Sequence, residues 1–186
     1  MRPIFAVLIF AVALGFFPAS ARVGETLDQC KKRYGKATAT AAPYDFGDQA
    51  KDLYYFNFQK NGIDIQIGFL KGIASDLSFH HHGDTAAPPT PFTQTEIDTL
   101  LADNSNDMAW KTVGVADGKL IFFPDTPSAL YTRYGSYQQR DDGILATVDG
   151  STLHIFSPDW MAYINEKMKA HADEEVVRQK KNLEGF

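Results

Sequence analysis

The sequence predicts an α+β fold in which a helix packs on an antiparallel β-meander, with a further helix at the C-terminal end. Three stretches between Tyr54 and His80 alternate apolar with polar side chains, which is the period of a strand with one buried face. Asn61-Gly62 separates the first two stretches and accepts the positive φ of a tight hairpin turn. These stretches are therefore predicted to form three consecutive antiparallel strands.

A short helix is predicted ahead of the meander. Thr26 can cap its first turn, Gln29 completes a capping box three residues later, and Gly35 is placed to end it. Its apolar face consists of Leu27, Cys30 and Tyr34. We expect this face to cover the apolar side of the meander, which makes a buried and unreactive thiol the favoured interpretation of Cys30.

The second half of the chain follows a similar order. Residues 81–92 contain three prolines and are interpreted as a linker or exposed loop. Thr93 and Glu96 form a second capping box before an apolar helical stripe, and Pro158 opens a C-terminal helix. Strands are predicted around 110–113 and at 120–123, 129–134, 144–148 and 152–156. This order supports the hypothesis of two such α/β units in tandem.

The predicted division of the chain follows from these elements. Its parts are a signal peptide at 1–21, a first α/β unit at 22–80, a Pro-rich linker at 81–92, a second α/β unit at 93–157, and a C-terminal helix with a charged tail at 158–186.

The first 21 residues have the pattern of a cleavable signal peptide. Arg2 supplies a positive charge, an apolar run extends from Ile4 to Phe17, and Ala19-Ser20-Ala21 provides small residues for the peptidase. The run is shorter than the roughly 20 residues that a membrane span needs. We therefore expect cleavage after Ala21 and a mature chain in the periplasm or outside the cell, without a transmembrane segment.

Composition limits the classes of partner. The whole chain carries a net charge of −5, and removal of Arg2 with the leader would make it −6. An acidic balance disfavours nucleic acid or an anionic lipid surface as the main partner. The single cysteine permits no internal disulfide, so packing has to supply the stability.

The segment Gly24-Glu25-Thr26-x-x-x-Cys30-x-x-Arg33-Tyr34-Gly35-Lys36, followed by aromatic strands and a hairpin, resembles a group of small exported bacterial proteins. More broadly it is similar to the α/β unit of the outer-membrane assembly lipoproteins and of the β-lactamase inhibitory proteins, where that unit occurs in tandem. The resemblance implies a binding or assembly module that is not an enzyme. The lipid-attachment cysteine of the former and the disulfide pairs of the latter are missing, so no functional residues are carried over.

The sharpest local motif is His80-His81-His82 at the end of the third predicted strand. Side chains two apart on a strand share a face, so His80 and His82 are expected to point the same way as Asp76. Two imidazoles and a carboxylate form a donor set that zinc or copper accepts. The alternative is a polar strand end that runs into a loop, where the histidines are simply solvated.

The polar face of the meander is a second candidate site, with Tyr55, Asn57 and Gln66 as candidate binding residues. Exposed Tyr and Asn suit recognition of a protein or a carbohydrate. Any antiparallel sheet with one solvated face would nevertheless show such residues. The distinguishing feature is whether this face is concave or flat.

The sequence lacks a nucleophile elbow, a zinc-protease helix motif and a phosphate-binding glycine loop. The favoured hypothesis is a non-catalytic protein-binding or assembly module with an envelope protein as partner and without a cofactor. Two alternatives stay open. One is a His-rich periplasmic protein that binds zinc or copper, and the other is a hydrolase whose site is assembled from scattered residues.

Overall fold

The computed structural model describes residues 22–41, 52–83, 90–113 and 137–183. Its elements in chain order are α1 (Leu27–Tyr34), β1 (Thr38–Thr40), β2 (Leu53–Lys60), β3 (Ile63–Leu70), β4 (Ile73–His81), α2 (Gln94–Asp103), β5 (Trp110–Val113), β6 (Tyr137–Arg140), β7 (Leu145–Asp149), β8 (Thr152–Phe156) and α3 (Pro158–Leu183). These elements confirm the predicted α+β class, the antiparallel meander and the C-terminal helix.

All described strands belong to one 8-stranded sheet with the order β1-β2-β3-β4-β8-β7-β6-β5. Every neighbouring pair is antiparallel. Among the described residues, a helix followed by four strands thus occurs twice, and the second set of strands mirrors the first about the β4–β8 pair. The domain boundaries given above remain a prediction.

The local signals for turns and caps are confirmed. Both α1 and α2 begin with a complete capping box, formed by Thr26 with Gln29 and by Thr93 with Glu96. The β2–β3 turn places Asn61 at φ 52° and Gly62 at φ 76°, which is the left-handed pair that a two-residue hairpin requires. The predicted strands at 120–123 and 129–134, and the signal peptide at 1–21, lie outside the described residues.

Two short strands were not expected. Neither β1 nor β6 has a counterpart among the strands predicted from the sequence. Their sequences, Thr-Ala-Thr and Tyr-Gln-Gln-Arg, contain too few apolar residues to show the alternation of a half-buried strand. Pairing with β2 and with β7 defines them instead.

Helices α1 and α2 both pack on one face of the sheet, as predicted for α1. The core on this side includes Cys30, Tyr34, Ile67, Phe79, Leu101 and Ile155. Cys30 has no exposed surface, and burial is the main cause that raises the pKa of its thiol to about 12. The thiol is therefore buried and protonated, as the interpretation of Cys30 required.

The first turns of α3 cover part of the opposite face. Trp160 and Ile164 pack there against Tyr55 and Phe156. The Tyr55 ring lies directly over Gly68 of the neighbouring strand, and a Cβ at position 68 would come within 2.6 Å of that ring. Because glycine leaves this space open, the aromatic ring can lie flat under the helix.

Candidate functional site

A row of polar side chains crosses the face of the sheet that α3 leaves uncovered. Cross-strand pairing aligns its members in spatial order from β1 to β7. We call this set the polar row: Thr38, Asn57, Gln66, Ser78, His154 and Thr147. The row crosses the β4–β8 pair and so contains residues from both halves of the chain.

The position of the row follows from the pleat of the strands. Side chains two residues apart share a face, so the neighbours of Asn57 and Ser78 on that face include Tyr55 and Asp76. These two are 1% and 6% exposed because α3 lies over them. The polar row is the next row along the strands, and five of its members keep exposed surface; Thr147, at the β7 end, is only 5% exposed.

Hydrogen bonds within the row connect neighbouring strands. The Gln66 amide donates to Asn57 Oδ1 at 3.3 Å, and Ser78 Oγ lies 2.9 Å from His154 Nδ1. Burial is the main cause that lowers the pKa of His154. The imidazole is therefore neutral at neutral pH, and the row as a whole is uncharged.

The β1–β4 part of this face is concave. A cavity of about 580 Å³ opens there, and its polar lining includes Asn57, Gln59, Asp64, Gln66 and His80. Asn57 and Gln59 are exposed, whereas Asp64, Gln66 and His80 are half-buried. His80 thus lines a concavity rather than a flat surface.

Asp64 is the centre of a polar cluster at one edge of this cavity. Its carboxylate accepts from His82 Nδ1 at 2.9 Å and from the Gln59 amide at 3.1 Å. His80 Nε2 lies 3.7 Å from the same carboxylate. Both histidines of the predicted metal set therefore meet at Asp64, which β3 places beside His80 by direct pairing.

The third predicted ligand is not brought to these histidines. Asp76 lies four residues before His80 on the same strand, a separation of about 13 Å in extended backbone. It is buried beneath α3, where it accepts a hydrogen bond from Tyr55. Within the described ranges, no group of three or more His, Cys, Asp or Glu is arranged to hold a metal ion.

The middle histidine points away from this cluster, as strand alternation requires. His81 Nε2 lies 3.0 Å from Glu96 Oε1 on α2, and its Nδ1 lies 3.0 Å from the Thr90 carbonyl. Hydrogen bonds from the backbone and side chain of Thr93, followed by the contact with His81, lower the pKa of Glu96 to about 2. This histidine connects the sheet to the start of α2.

The three predicted binding residues have different positions. Asn57 and Gln66 belong to the polar row and line the cavity. Tyr55 does not, and its expected exposure is wrong because α3 folds back over it. Ser78 and His154 were not predicted, since no local signal could show that β4 pairs with β8 across 76 residues of sequence.

Comparisons with known proteins give little for this chain. No protein-family model matches it, and no curated protein does. One solved structure with some likeness is a cysteine-rich secretory protein from Staphylococcus aureus subsp. aureus Mu50, at 13% identity and a TM-score of 0.42. The likeness covers 75% of this chain but less than half, 46%, of that one.

In the described part of the chain, no helix is long and apolar enough to cross a membrane.

Proposed function

We propose that this chain is an exported, non-catalytic binding protein of the cell envelope, and that the polar row holds an extended segment of a partner protein. The observation that carries the proposal is the row itself, an uncharged line of amide, hydroxyl and imidazole groups whose accessible members lie on five strands, from Thr38 to His154. The concavity beside it gives such a segment a place to lie.

The chemistry of the row suits a peptide ligand. An amide side chain such as that of Asn57 or Gln66 carries both a donor and an acceptor, as each peptide group does. Adjacent strands lie about 4.8 Å apart, so the five strands with accessible members span roughly 19 Å, which about six residues of extended chain would cover. An uncharged row avoids the large cost of burying a charge, and hydrogen bonds to the segment would offset the desolvation of its neutral polar groups.

The Ser78–His154 pair is where the hydrolase alternative would act. In the described part of the chain, the only hydrogen bond of His154's side chain is the one to Ser78. The base of a Ser–His–Asp triad is instead oriented by a carboxylate on its second ring nitrogen. This difference supports binding rather than acyl transfer as the role of the pair.

A photo-crosslinking experiment tests the proposal. A photoreactive amino acid at position 66 in the row is compared with the same group at position 94, which is exposed on α2 across the sheet. In the envelope fraction, we expect a defined protein adduct from position 66 only. Asn57→Ala/Gln66→Ala should then weaken binding of the identified partner roughly tenfold, because two hydrogen-bonding groups that the bound segment would cover are lost.

Gln94→Ala is the matched control and should bind the partner like the unmodified protein. Adducts in equal yield from positions 66 and 94 would contradict the proposal. An adduct that forms at position 66 but is unaffected by the double substitution would also contradict a role for the row.

Metal binding is a second candidate, favoured by the meeting of His80 and His82 at Asp64. If this cluster binds zinc or copper, calorimetric titration should show one site that weakens more than about tenfold in His80→Ala/His82→Ala. His171→Ala, on the exposed part of α3, is the matched control. Equal affinity in the double variant and the control would remove this candidate.

A further inference from the structure

The C-terminal half of α3 extends beyond its contacts with the sheet. The helix has 26 residues, but the side chains that pack in the core belong to its first half, from Trp160 to Met168. The segment after Ala172 contains the charged tail predicted from the sequence. It continues as a helix to Leu183, and its Val176 and Val177 side chains are 51% and 66% exposed.

The charges on this half are arranged about Val177. Residues three and four positions apart share a face of a helix. One turn before Val177 that face carries Asp173 and Glu174, and one turn after it carries Lys180 and Lys181. The face therefore has an acidic end, an apolar centre and a basic end.

We propose that this face binds a second copy of the same chain, with the two helices antiparallel and Val177 packed against its own counterpart on a twofold axis. In that arrangement, the acidic end of each helix meets the basic end of the other. Asp173 and Glu174 lie opposite Lys181 and Lys180 of the second copy. A parallel pairing would instead place like charges together, so the charge order selects the antiparallel one.

The expected association is weak and depends on concentration. About four turns of helix meet with a single valine layer at the centre, well below the area of a stable interface. Ion pairs between two such exposed helix faces contribute a few tenths to 1 kcal/mol each and are screened by salt. Self-association should therefore be measurable at high protein concentration and should weaken as ionic strength rises. The proposal is independent of the polar row, which lies on the sheet.

Charge reversal tests the pairing by analytical ultracentrifugation of the whole protein at low ionic strength. Asp173→Lys/Glu174→Lys makes the face wholly basic, and Lys180→Glu/Lys181→Glu makes it wholly acidic. Each variant alone should self-associate at least roughly tenfold more weakly than the unmodified protein. An equimolar mixture of the two should associate again, because the basic face of one matches the acidic face of the other.

A third variant, Val177→Glu, places a charge at the apolar centre of the face and should also abolish association. Circular dichroism should show that its helix content is unchanged. The unmodified protein remaining monomeric at the highest accessible concentration would overturn the proposal. So would variants that associate as well as the unmodified protein, or a mixture that stays monomeric.

Discussion

The unmodified protein is expected to lose about 4 kcal/mol of its free energy of unfolding as the pH rises from 4 to 8. Replacing Asp76 with asparagine is expected to remove this loss. The carboxyl group is buried beneath α3, and burial raises its pKa from 3.8 to about 7. A hydrogen bond from the Tyr55 hydroxyl, at 2.9 Å, opposes that rise without cancelling it. The folded chain therefore holds this proton more tightly than the unfolded chain does.

The sign of the effect follows from the direction of that shift. Below pH 3.8 the group is protonated in both states, and its contribution to stability is fully present. Between pH 3.8 and about 7 the unfolded chain has released the proton while the folded chain retains it, so stability falls as pH rises. The loss levels off once the pH exceeds the folded-state pKa by about one unit, where the folded group is ionised as well.

The measurement is urea unfolding of the unmodified protein and of Asp76→Asn at several pH values from 4 to 8. His154 titrates in an overlapping range with the opposite sign, because its pKa is lowered. The informative quantity is therefore the difference between the two proteins, which should grow with pH in favour of the asparagine variant. Asp28→Asn is the control, since its side chain is 87% exposed. A difference that does not change with pH would show that Asp76 is ionised in the folded state throughout.

Replacing Arg140 with methionine is expected to lower the free energy of unfolding by about 3 kcal/mol. Arg140 is 4% exposed, and its guanidinium is held on three sides. It donates two hydrogen bonds to the Asp142 carboxylate and one to the Asn104 carbonyl at the end of α2, and it lies 5.7 Å from the centre of the Trp110 ring. Methionine keeps much of the volume but leaves that carbonyl without its charged donor.

Arg178→Met is the matched control for this prediction. Arg178 also pairs with one carboxylate, that of Glu175, but its side chain is 70% exposed. We expect the control to cost no more than about 0.5 kcal/mol, because solvent screens an exposed ion pair. Urea unfolding at neutral pH compares the two variants. Equal stability would mean that the guanidinium of Arg140 contributes no more than a surface charge.

Arg140→Lys separates charge from geometry. A lysine keeps the positive charge but cannot form the paired hydrogen bonds to Asp142 or lie flat against Trp110. Its stability should therefore fall between those of the unmodified protein and Arg140→Met. Asp142 supplies a second readout, because the hydrogen bond from Arg140 is the main cause of its lowered pKa.

Local signals predicted much of this fold because they depend on a few adjacent residues. The capping boxes at Thr26 and Thr93 need only a side chain and a backbone group three positions away. The Asn61-Gly62 turn similarly needs two residues that accept positive φ. Such features can be read from sequence because the partners lie within one turn of chain.

Features that depend on distant partners could not be predicted in the same way. Alternation placed Tyr55 on the solvated side of its strand, but nothing near it in sequence indicates that Trp160 folds over it. Trp160 donates to the Tyr55 hydroxyl at 3.3 Å across 105 positions of sequence. Asp76 was expected beside His80 for the same reason, because both belong to one strand and the sequence does not show which residues the neighbouring strand brings to His80. The carboxylate that meets this histidine, Asp64, comes from the neighbouring strand.

The pairing of β4 with β8 has a consequence for the growing chain. Until residues 152–156 have been made, the edge of β4 lacks the strand that pairs with its backbone donors and acceptors in the described sheet. That edge carries Leu77 and Phe79, both fully buried in the finished sheet. An unpaired strand with large apolar side chains is a template for association with other chains. The first half of this protein therefore depends on β8 for protection from association as well as for stability. A chain that ends before β8 would expose an unpaired strand edge that can associate with other chains.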